Sequence, residues 1–376
     1  MSRQTLVLAG GGTGGHLFPG LAVAEEFCRR QAGRRAVFLG TGRAVEQRAV
    51  ASSGHELRSV SAQPLRGTSL ARRAASIAVL PFALGEAARI LVELEPAAVV
   101  GLGGYASGPV VLAAALLRIP AVVMEQNSVP GSTNRILAQL RCIQRAYVAF
   151  SSSERFFPGG TARRYGNPVR ASIRGARGAP PPEGRGVLVL GGSQGARTLN
   201  RAAPEALAAV SSRLGPILIV HQTGTAMEDE VRRSYAELGI EATVSAFIDD
   251  MAAAYRAVSL VLCRAGATTV AELAVVGRPA VFVPFPFAID DHQTRNAKER
   301  EEAGAAIVVP DAEATPAVLA DAVEQILGAP SRLAAMAASS LSGGAPDAAA
   351  RVVADLEELI STRAHSRRSE ACSEAR

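Results

Sequence analysis

Two glycine-rich turns are the first candidates for chemistry. Residues 10–15 (GGGTGG) follow an apolar run at 5–9, and residues 191–195 (GGSQG) follow an apolar run at 187–190. Helical periodicity comes after each turn. A strand that turns through glycines into a helix presents free backbone N–H groups and the positive end of the helix dipole, and both attract anions. The sequence therefore predicts a phosphate site in each half of the chain.

A third candidate is the segment 264–272 (RAGATTVAE), which follows the apolar run 258–263. Thr268 and Thr269 can cap the start of a helix, and Arg264 adds positive charge. The carboxylate of Glu272 is suited to accept hydrogen bonds from a ribose diol. The alternative interpretation is that Glu272 only complements the dipole of the helix N-terminus.

Two standard nucleotide motifs do not fit these turns. A P-loop needs a lysine directly after its glycines, and Lys298 is the only lysine in the chain. A dinucleotide fingerprint needs an acidic residue at the end of the second strand. The strand predicted at 36–39 has no acid at its end, and the next one is Glu46. Both motifs are therefore disfavoured.

The elements that position these turns alternate between apolar runs and helical segments. Further runs lie at 97–101, 120–124, 217–221 and 279–284. Continuous apolar strands separated by helices are typical of parallel sheets buried on both faces. The fold class predicted is α/β, with two doubly wound domains of similar size.

The chain is predicted to form two domains and a tail. We predict an N-terminal domain over 1–165 and a C-terminal domain over 166–344 that begins with a short element at 166–169. The Pro- and Gly-rich segment 174–186 is an early loop of the second domain or a linker. A helix at about 345–362 returns to the first domain, and the polar residues 363–376 form a disordered tail.

Composition excludes several classes of protein. With 48% hydrophobic and 20% charged residues among 376, the chain is neither collagen-like nor wholly disordered. The four cysteines have no metal-ligand or disulfide-framework spacing. No apolar run reaches the ~18 residues of a membrane span, and the start lacks a signal-peptide pattern.

The charge balance points to anionic partners. A net charge of +6 suits nucleic acid, anionic lipid or a phosphorylated substrate. Aromatic residues make up 4% and tryptophan is absent, which argues against a platform for stacking single-stranded nucleic acid. We therefore predict no nucleic-acid partner.

Seven ordered motifs together resemble the MurG family of N-acetylglucosaminyltransferases. In the first half they are residues 11–20 (GGTGGHLFPG), 101–109 (GLGGYASGP) and 125–127 (EQN). In the second half they are residues 191–196 (GGSQGA), 247–251 (FIDDM), 264–272 and 291–297 (DHQTRNA). The resemblance runs from about residue 5 to 350 and leaves only the tail unmatched.

This resemblance implies the GT-B fold, two Rossmann-like domains facing an interdomain cleft. It implies inverting transfer of N-acetylglucosamine from UDP-N-acetylglucosamine to the C4 hydroxyl of the muramyl residue of lipid I, giving lipid II for peptidoglycan. No metal or other cofactor is expected, because a helix start would neutralise the departing UDP. The implied location is the cytoplasmic face of the bacterial inner membrane, as a peripheral protein alongside cell-wall synthesis proteins.

The resemblance also assigns donor contacts. Ser193 contacts the diphosphate, the backbone of Ile248 pairs with uracil and Glu272 holds the ribose. Amides of Gln293 and Asn127 meet sugar hydroxyls, and Arg170 faces the nucleotide. The remaining residues of the implied donor site are Thr13, Gly14, Gly15, Ala267, Thr268, Thr269, Val270 and Ala271. His292 stands where a second glutamine is expected before Gln293.

The general base has two candidates. His16 follows the first glycine turn, and an imidazole of ordinary pKa, about 6.5, suits a base at neutral pH. A helix N-terminus would weaken its basicity, however. The alternative is that His16 donates a hydrogen bond to the acceptor diphosphate while Glu125 takes the proton. Tyr105 and Ser107 are expected to line the acceptor groove.

A lipid-linked acceptor requires the enzyme to reach the membrane. Residues 66–84 mix arginines with apolar residues, which is typical of an element held at an anionic lipid surface. The residues that carry this prediction are Arg66, Arg72, Arg73, Leu70, Ile77, Leu80, Phe82 and Leu84. The alternative is an amphipathic helix that only covers the sheet.

Two other functions are weighed against this one. A related GT-B enzyme with another acceptor, such as diacylglycerol, fits the donor residues and the basic segment. The motifs at 101–109 and 125–127 argue against it, because they resemble the muramyl branch. A non-catalytic UDP-sugar or membrane scaffold is disfavoured by the presence of both glycine turns, His16 and Glu272.

Overall fold

A computed structural model describes residues 4–11, 14–62, 70–179, 185–192 and 195–374, with residues 70–78, 289 and 364–374 described by their backbone alone. The chain divides into two compact units. The first unit comprises Met1–Arg170 and Asp347–Arg376, and the second unit comprises Ala171–Pro346.

The first unit alternates strands with helices. Its strands are β1 (Thr5–Gly10), β2 (Arg35–Gly40), β3 (Glu56–Ser59), β4 (Ala98–Gly103), β5 (Ala121–Glu125), β6 (Arg145–Val148) and β7 (Ala162–Arg164). Its first helices are α1 (Gly14–Arg30), α2 (Ala44–Ser52), α3 (Leu70–Leu94), α4 (Ser107–Leu116), α5 (Ser132–Gln139) and α6 (Ser151–Glu154).

Among the described residues, these strands form one parallel seven-stranded sheet in the order β3-β2-β1-β4-β5-β6-β7. The order reverses between β1 and β4, and such a switch point opens a crevice at the carboxyl ends of the strands. Helices α3, α4 and α5 cover one face of the sheet, and α1 covers the other. Because both faces are covered, β1 and β4 are buried at every position.

The second unit repeats the arrangement. Its strands are β8 (Arg185–Leu190), β9 (Ile217–Gln222), β10 (Thr243–Ser245), β11 (Leu260–Cys263), β12 (Ala280–Phe282) and β13 (Ala306–Val308). Its helices are α7 (Ala171–Arg174), α8 (Arg197–Leu214), α9 (Glu228–Glu237), α10 (Met251–Ala257), α11 (Ala267–Val276), α12 (His292–Glu302), α13 (Pro316–Leu327) and α14 (Pro330–Ser342), with 3-10 turns at Ile289–Asp291 and Asp311–Glu313.

Across the described part of the second unit, the sheet is parallel and six-stranded, in the order β10-β9-β8-β11-β12-β13. The predicted α/β class with two doubly wound sheets is therefore confirmed. Each apolar run predicted to be a strand overlaps one. The short strands β3, β6, β7, β10 and β13 were not predicted, because they lack a long apolar run.

The unit boundary falls at Arg170, a few residues beyond the predicted start of the second domain at 166. Residues 166–169 lie in the first unit, where the Gly166 N–H donates to the Val148 carbonyl of β6 (3.4 Å). The described residues of the Pro- and Gly-rich segment lie in the second unit, and residues 180–184 lie outside the described residues.

Helix α15 (Ala348–Glu374) belongs to the first unit and packs against α1 on the sheet. Its side chain Asp355 accepts hydrogen bonds from the hydroxyls of Tyr147 (2.7 Å) and Tyr165 (3.3 Å). The helix continues to Glu374 rather than ending near 362, so the predicted tail is helical up to that residue. The segment contains no Gly or Pro that would stop a helix.

Candidate functional site

The first glycine turn lies at the switch point of the first sheet. It leaves β1 at Gly10, which has φ +147°, and α1 begins at Gly14. A Cβ on Gly10 would lie 2.6 Å from the Gly103 carbonyl oxygen at the end of β4. Only glycine lets these two strand ends approach so closely. Thr13 lies outside the described residues, whereas Gly14 and Gly15 open the helix.

His16 lies in the first turn of α1 and faces the loop that follows β4. A Cβ on Gly103 would lie 3.0 Å from His16 Nδ1, so the missing side chain makes room for the ring. Gln126, directly after β5, is 3.0 Å from the same nitrogen through its Oε1. The sheet thus brings together residues that are 110 positions apart in the chain.

Glu125 is 3% exposed, and nitrogen donors surround its carboxylate. Oε1 accepts from the Asn127 backbone N–H (3.0 Å) and Oε2 from the Gly131 N–H (3.0 Å). The Asn134 amide also donates to Oε2 (2.9 Å), and the Asn127 amide lies 3.4 Å from Oε1. This arrangement makes Glu125 the anchor of the loop that carries Asn127.

The two residues expected in the acceptor groove differ in exposure. Tyr105 is partly exposed, and the Arg43 guanidinium lies 5.9 Å from its ring centroid. Ser107 is fully buried at the start of α4, because its side chain is turned toward Gly101 of β4. The expectation that Ser107 lines an open groove therefore does not fit its burial. Arg170, at the end of the first unit, stacks on Phe18 with its Cζ 4.3 Å from the ring centroid.

The second glycine turn leaves β8 and enters α8. Ser193 lies outside the described residues. Gly195 has φ +74°, and a Cβ there would overlap the carbonyl oxygen of Thr223, after β9. The turn therefore packs directly on the end of the neighbouring strand.

A buried hydrogen-bonded chain supports this contact. The Asn200 amide of α8 donates to the Thr223 carbonyl (2.9 Å), and its Oδ1 lies 3.2 Å from His221 Nε2. His221 Nδ1 lies 3.0 Å from the hydroxyl of Tyr235. Burial lowers the pKa of His221 to about 3, so the ring is neutral.

Gln222, at the end of β9, bridges two predicted donor contacts. Its Oε1 accepts the backbone N–H of Ile248 (3.1 Å), and its amide donates to the Gly192 carbonyl (3.1 Å). The Ile248 N–H predicted to pair with uracil thus bonds to a glutamine side chain. If a nucleotide binds to this N–H, an acceptor atom of the nucleotide replaces Gln222 Oε1.

The third candidate segment enters α11 at Ala267. Thr268, Thr269 and Ala271 are partly exposed, whereas Ala267, Val270 and Glu272 are buried. The carboxylate of Glu272 accepts a hydrogen bond from the Tyr255 hydroxyl (2.9 Å).

Arg264 precedes this helix but is engaged elsewhere. It donates to the carbonyls of Val283 (3.0 Å) and Pro284 (3.1 Å) and pairs with Asp311. Its charge therefore organises the loop after β12.

Gln293 lies in the first turn of α12, and its Oε1 accepts the backbone N–H of Phe285 (3.0 Å). The preceding Asp290 and Asp291 have φ values of 54° and 53°, a left-handed conformation that Asp tolerates better than most residues. His292 begins the helix and is partly exposed.

The structure thus groups the predicted residues by unit. His16, Tyr105, Glu125 and Asn127 surround the carboxyl ends of β1, β4 and β5. The second unit holds Ile248, Glu272, Gln293 and the second glycine turn. Sequence reasoning missed four supporting side chains: Gln126, Asn200, Gln222 and Tyr255. Gln126 was visible within a motif, but no spacing rule showed what it contacts.

The described residues contain neither a cluster of metal ligands nor a membrane-spanning helix. No group of three or more His, Cys, Asp or Glu side chains there could hold a metal ion. Within the same part of the chain, no helix is both long enough and apolar enough to cross a membrane.

Two family models match the chain, one in each half. Residues 6–143 match the glycosyltransferase family 28 N-terminal domain, and residues 186–352 match the glycosyltransferase family 28 C-terminal domain.

Curated relatives match over nearly the whole chain. A protein of Syntrophus aciditrophicus is 42% identical over 359 residues, which is 94% of this chain and 98% of the relative. One of Myxococcus xanthus is 43% identical, covering 92% of this chain and 90% of the relative. Both are named UDP-N-acetylglucosamine–N-acetylmuramyl-(pentapeptide) pyrophosphoryl-undecaprenol N-acetylglucosamine transferase.

Solved structures agree with the fold. Acinetobacter baumannii MurG is 33% identical with a TM-score of 0.73, covering 94% of this chain and 99% of that one. The calicheamicin glycosyltransferase CalG4 is 19% identical with a TM-score of 0.65, covering 95% and 98%. At that identity CalG4 supports the fold alone, the GT-B fold that the resemblance implied.

Proposed function

Because this chain belongs to glycosyltransferase family 28, we propose that it transfers N-acetylglucosamine from UDP-N-acetylglucosamine to undecaprenyl-diphosphate-linked N-acetylmuramyl pentapeptide. The observation that carries the proposal is identity of about 42% to transferases of that name over 94% of the chain. The acceptor is lipid I and the product is lipid II, the precursor of peptidoglycan.

The second unit binds the donor. The turn after β8 offers backbone N–H groups to the diphosphate, and Glu272 accepts hydrogen bonds from the ribose diol. The bond from Tyr255 supports this role, because it orients the carboxylate before the ligand arrives. Uracil pairs with the Ile248 backbone by taking the place of the Gln222 side chain.

The start of α11 stabilises the departing UDP. The N–H groups of its first turn and the helix dipole act on the charge that grows as the glycosidic bond breaks. No step of this proposal uses a metal ion. Adding a chelator to the assay checks this, with retained activity as the expected result.

The first unit binds the acceptor and holds the base. The C4 hydroxyl of the muramyl sugar attacks C1 of N-acetylglucosamine, the bond from C1 to the UDP oxygen breaks, and the configuration inverts. His16 takes the hydroxyl proton. The surroundings of Glu125 support this choice, because hydrogen bonds to its own loop engage both of its carboxylate oxygens.

A transfer assay tests the proposal. Purified protein is incubated with radiolabelled UDP-N-acetylglucosamine and a short-chain lipid I analogue, together with His16→Ala and Glu272→Ala. Label enters the lipid with the wild type and is lost with both variants. Glu237→Ala, an exposed glutamate of α9, is the matched control and retains activity. UDP binding without transfer would overturn the lipid I assignment and favour another acceptor.

The same proposal includes a peripheral location at the cytoplasmic face of the membrane. Helices α3, α4 and α5 share one face of the first sheet, and large apolar side chains on or directly after them are exposed; we propose that these side chains form one apolar patch. The patch comprises Leu80, Phe82, Leu116, Ile136 and Leu140. Phe82 and Leu116 are 68% and 67% exposed.

Exposed arginines on the same helices support an anionic lipid surface as the partner of this patch. Arg89, Arg118 and Arg141 are exposed on the same three helices or directly after them. Apolar burial and attraction to anionic headgroups add together at such an interface. Arg66 lies outside the described residues, as do the side chains of Leu70, Arg72, Arg73 and Ile77.

Vesicle binding tests the patch. The double variant Phe82→Ser/Leu116→Ser should bind phosphatidylglycerol-containing vesicles roughly tenfold or more weakly, because two apolar side chains lose their burial. Val318→Ser, a partly exposed apolar residue of α13 in the second unit, is the control and should bind normally. Equal binding by the double variant and the wild type would exclude the patch.

A further inference from the structure

We propose that Gln126 is a positioning residue that holds His16 as the tautomer with a proton on Nδ1 and a lone pair on Nε2. The acceptor hydroxyl from which His16 takes a proton rests on the proposed function, whereas the tautomer of His16 rests on hydrogen-bond geometry alone. Gln126 is 2% exposed and lies at the end of β5, next to the switch point of the sheet.

The orientation of the Gln126 amide follows from its second partner. Its Nε2 lies 3.1 Å from the carbonyl oxygen of Leu102 in β4. A carbonyl oxygen only accepts hydrogen bonds, so the NH₂ end of the amide must face Leu102. The oxygen end therefore faces His16.

The tautomer of His16 follows from the amide. Gln126 Oε1 lies 3.0 Å from His16 Nδ1, and an amide oxygen can only accept. Nδ1 must then carry the proton, and in the neutral ring the lone pair is on Nε2. The direction of both hydrogen bonds is therefore fixed: His16 donates to Gln126, and Gln126 donates to the Leu102 carbonyl.

The backbone around the ring keeps this contact in place. Gly103, with φ +98°, leaves the space beside Nδ1 that a Cβ would enter at 3.0 Å. A Cβ on Gly104 would lie 3.9 Å from His16 Cδ2. The ring is thus packed against the loop after β4 while its Nδ1 edge is bonded to Gln126.

For the neutral ring, this arrangement favours the role of base over that of diphosphate ligand. A neutral ring with its lone pair on Nε2 can take the proton of the acceptor C4 hydroxyl as the new C–O bond forms. The same nitrogen cannot donate to a phosphate oxygen unless the ring first gains a proton. Once the ring is protonated, Gln126 Oε1 still accepts from Nδ1, so the bond persists through the transfer.

Nitrogen NMR of the full-length protein tests the tautomer directly. The chain has five histidines, and selective ¹⁵N-histidine labelling with a His16→Gln variant identifies the His16 signals. We expect Nδ1 protonated and Nε2 unprotonated in the neutral ring, with Gln126→Met giving mixed tautomers. A neutral wild-type ring protonated on Nε2 would overturn the proposal.

Kinetics test whether the tautomer matters. Gln126→Met removes the acceptor at similar size and should lower kcat about ten- to a hundredfold, within the range that a general base contributes. Gln126→Glu still accepts from Nδ1 but loses the donor to the Leu102 carbonyl, so it should recover part of that loss. The Kd for UDP should not change, because the residues proposed to hold UDP itself, Ile248, Glu272 and the second glycine turn, lie in the other unit.

Controls separate this proposal from folding defects and from the proposed function. Thermal melting and UDP binding check that each variant folds. If Gln126→Met does not fold, the tautomer is judged from the wild-type spectrum and the positioning role from Gln126→Glu. Unchanged kcat in a folded Gln126→Met protein would contradict the positioning role. A wild type that leaves lipid I unmodified would overturn the acceptor, while the spectrum would still judge the tautomer.

Discussion

The hydroxyl of Tyr255 donates a 2.9 Å hydrogen bond to Oε2 of Glu272, and both side chains are buried. Tyr255 lies on α10 and Glu272 near the start of α11, so the bond joins the helices that precede and follow β11 in the chain. A carboxylate that is oriented in this way needs less reordering when a ligand binds, which favours affinity.

Tyr255→Phe should therefore weaken donor binding without changing the acceptor site. The change removes a hydrogen bond to a carboxylate and conserves ring volume. We expect the Kd for UDP to rise about tenfold, which corresponds to about 1.4 kcal/mol. Titration calorimetry with UDP measures it.

Tyr147→Phe is the matched control for this prediction. The Tyr147 hydroxyl donates to Asp355 of α15 in the first unit (2.7 Å), whereas Tyr255 and Glu272 lie in the second unit. This variant should melt at a lower temperature but bind UDP normally. Equal UDP affinity in Tyr255→Phe and wild type would refute the orienting role.

Glu125→Gln should act mainly on stability. The amide replaces one carboxylate oxygen with an NH₂ group. That group then faces hydrogen-bond donors such as the Asn127 and Gly131 backbone N–H groups, and no bond can form between them. An unsatisfied buried group costs about 1–3 kcal/mol, so the melting temperature should fall together with activity. Lost activity with unchanged thermal stability would instead favour Glu125 as the general base.

Gly195→Ala should damage the second glycine turn. A Cβ there would overlap the Thr223 carbonyl oxygen, which the Asn200 amide holds in place. We expect the KM for the donor to rise at least about tenfold, a loss of about 1.4 kcal/mol. Gly192→Ala is the control, because Gly192 has a similar φ of +79° but no atom of the described residues within 4 Å of the added Cβ. Similar KM values for the two variants would show that the overlap does not matter.

His221 should make the second unit less stable in acid. Burial lowers its pKa from 6.5 to about 3, so the unfolded chain binds a proton in this range that the folded chain does not. The contribution of the neutral His221 ring to the free energy of unfolding is complete above about pH 6.5 and declines as the pH falls toward 3. The slope is at most about 1.4 kcal/mol per pH unit.

Urea denaturation at several pH values between 7.5 and 5 measures this slope. His221→Gln should lose stability at pH 7.5 and show a shallower decline than the wild type. His55→Gln is the comparison, because burial also lowers the pKa of His55 but that ring is only half-buried. A parallel decline in wild type and His221→Gln would contradict the assignment.

The sequence alone predicted the sheets and the turns that carry the site. Apolar runs such as residues 187–190 are long and uninterrupted because central parallel strands are buried on both faces, and β8 is one of them. The strand Ala162–Arg164 went unpredicted because it is a short edge strand with no fully buried residue. The pattern of apolar residues in a segment reflects how deeply that segment is buried, and edge strands are buried only in part.

Which side chains meet was decided only by the tertiary structure. Glu125 and Gln126 are neighbours in one motif, yet Glu125 bonds to its own loop and Gln126 reaches His16 and Leu102. Successive residues of a strand point to opposite sides, so their order in the chain cannot show which one faces a partner. The pairing of β5 with β4, and of β4 with β1, sets that register, and these contacts join segments more than twenty residues apart.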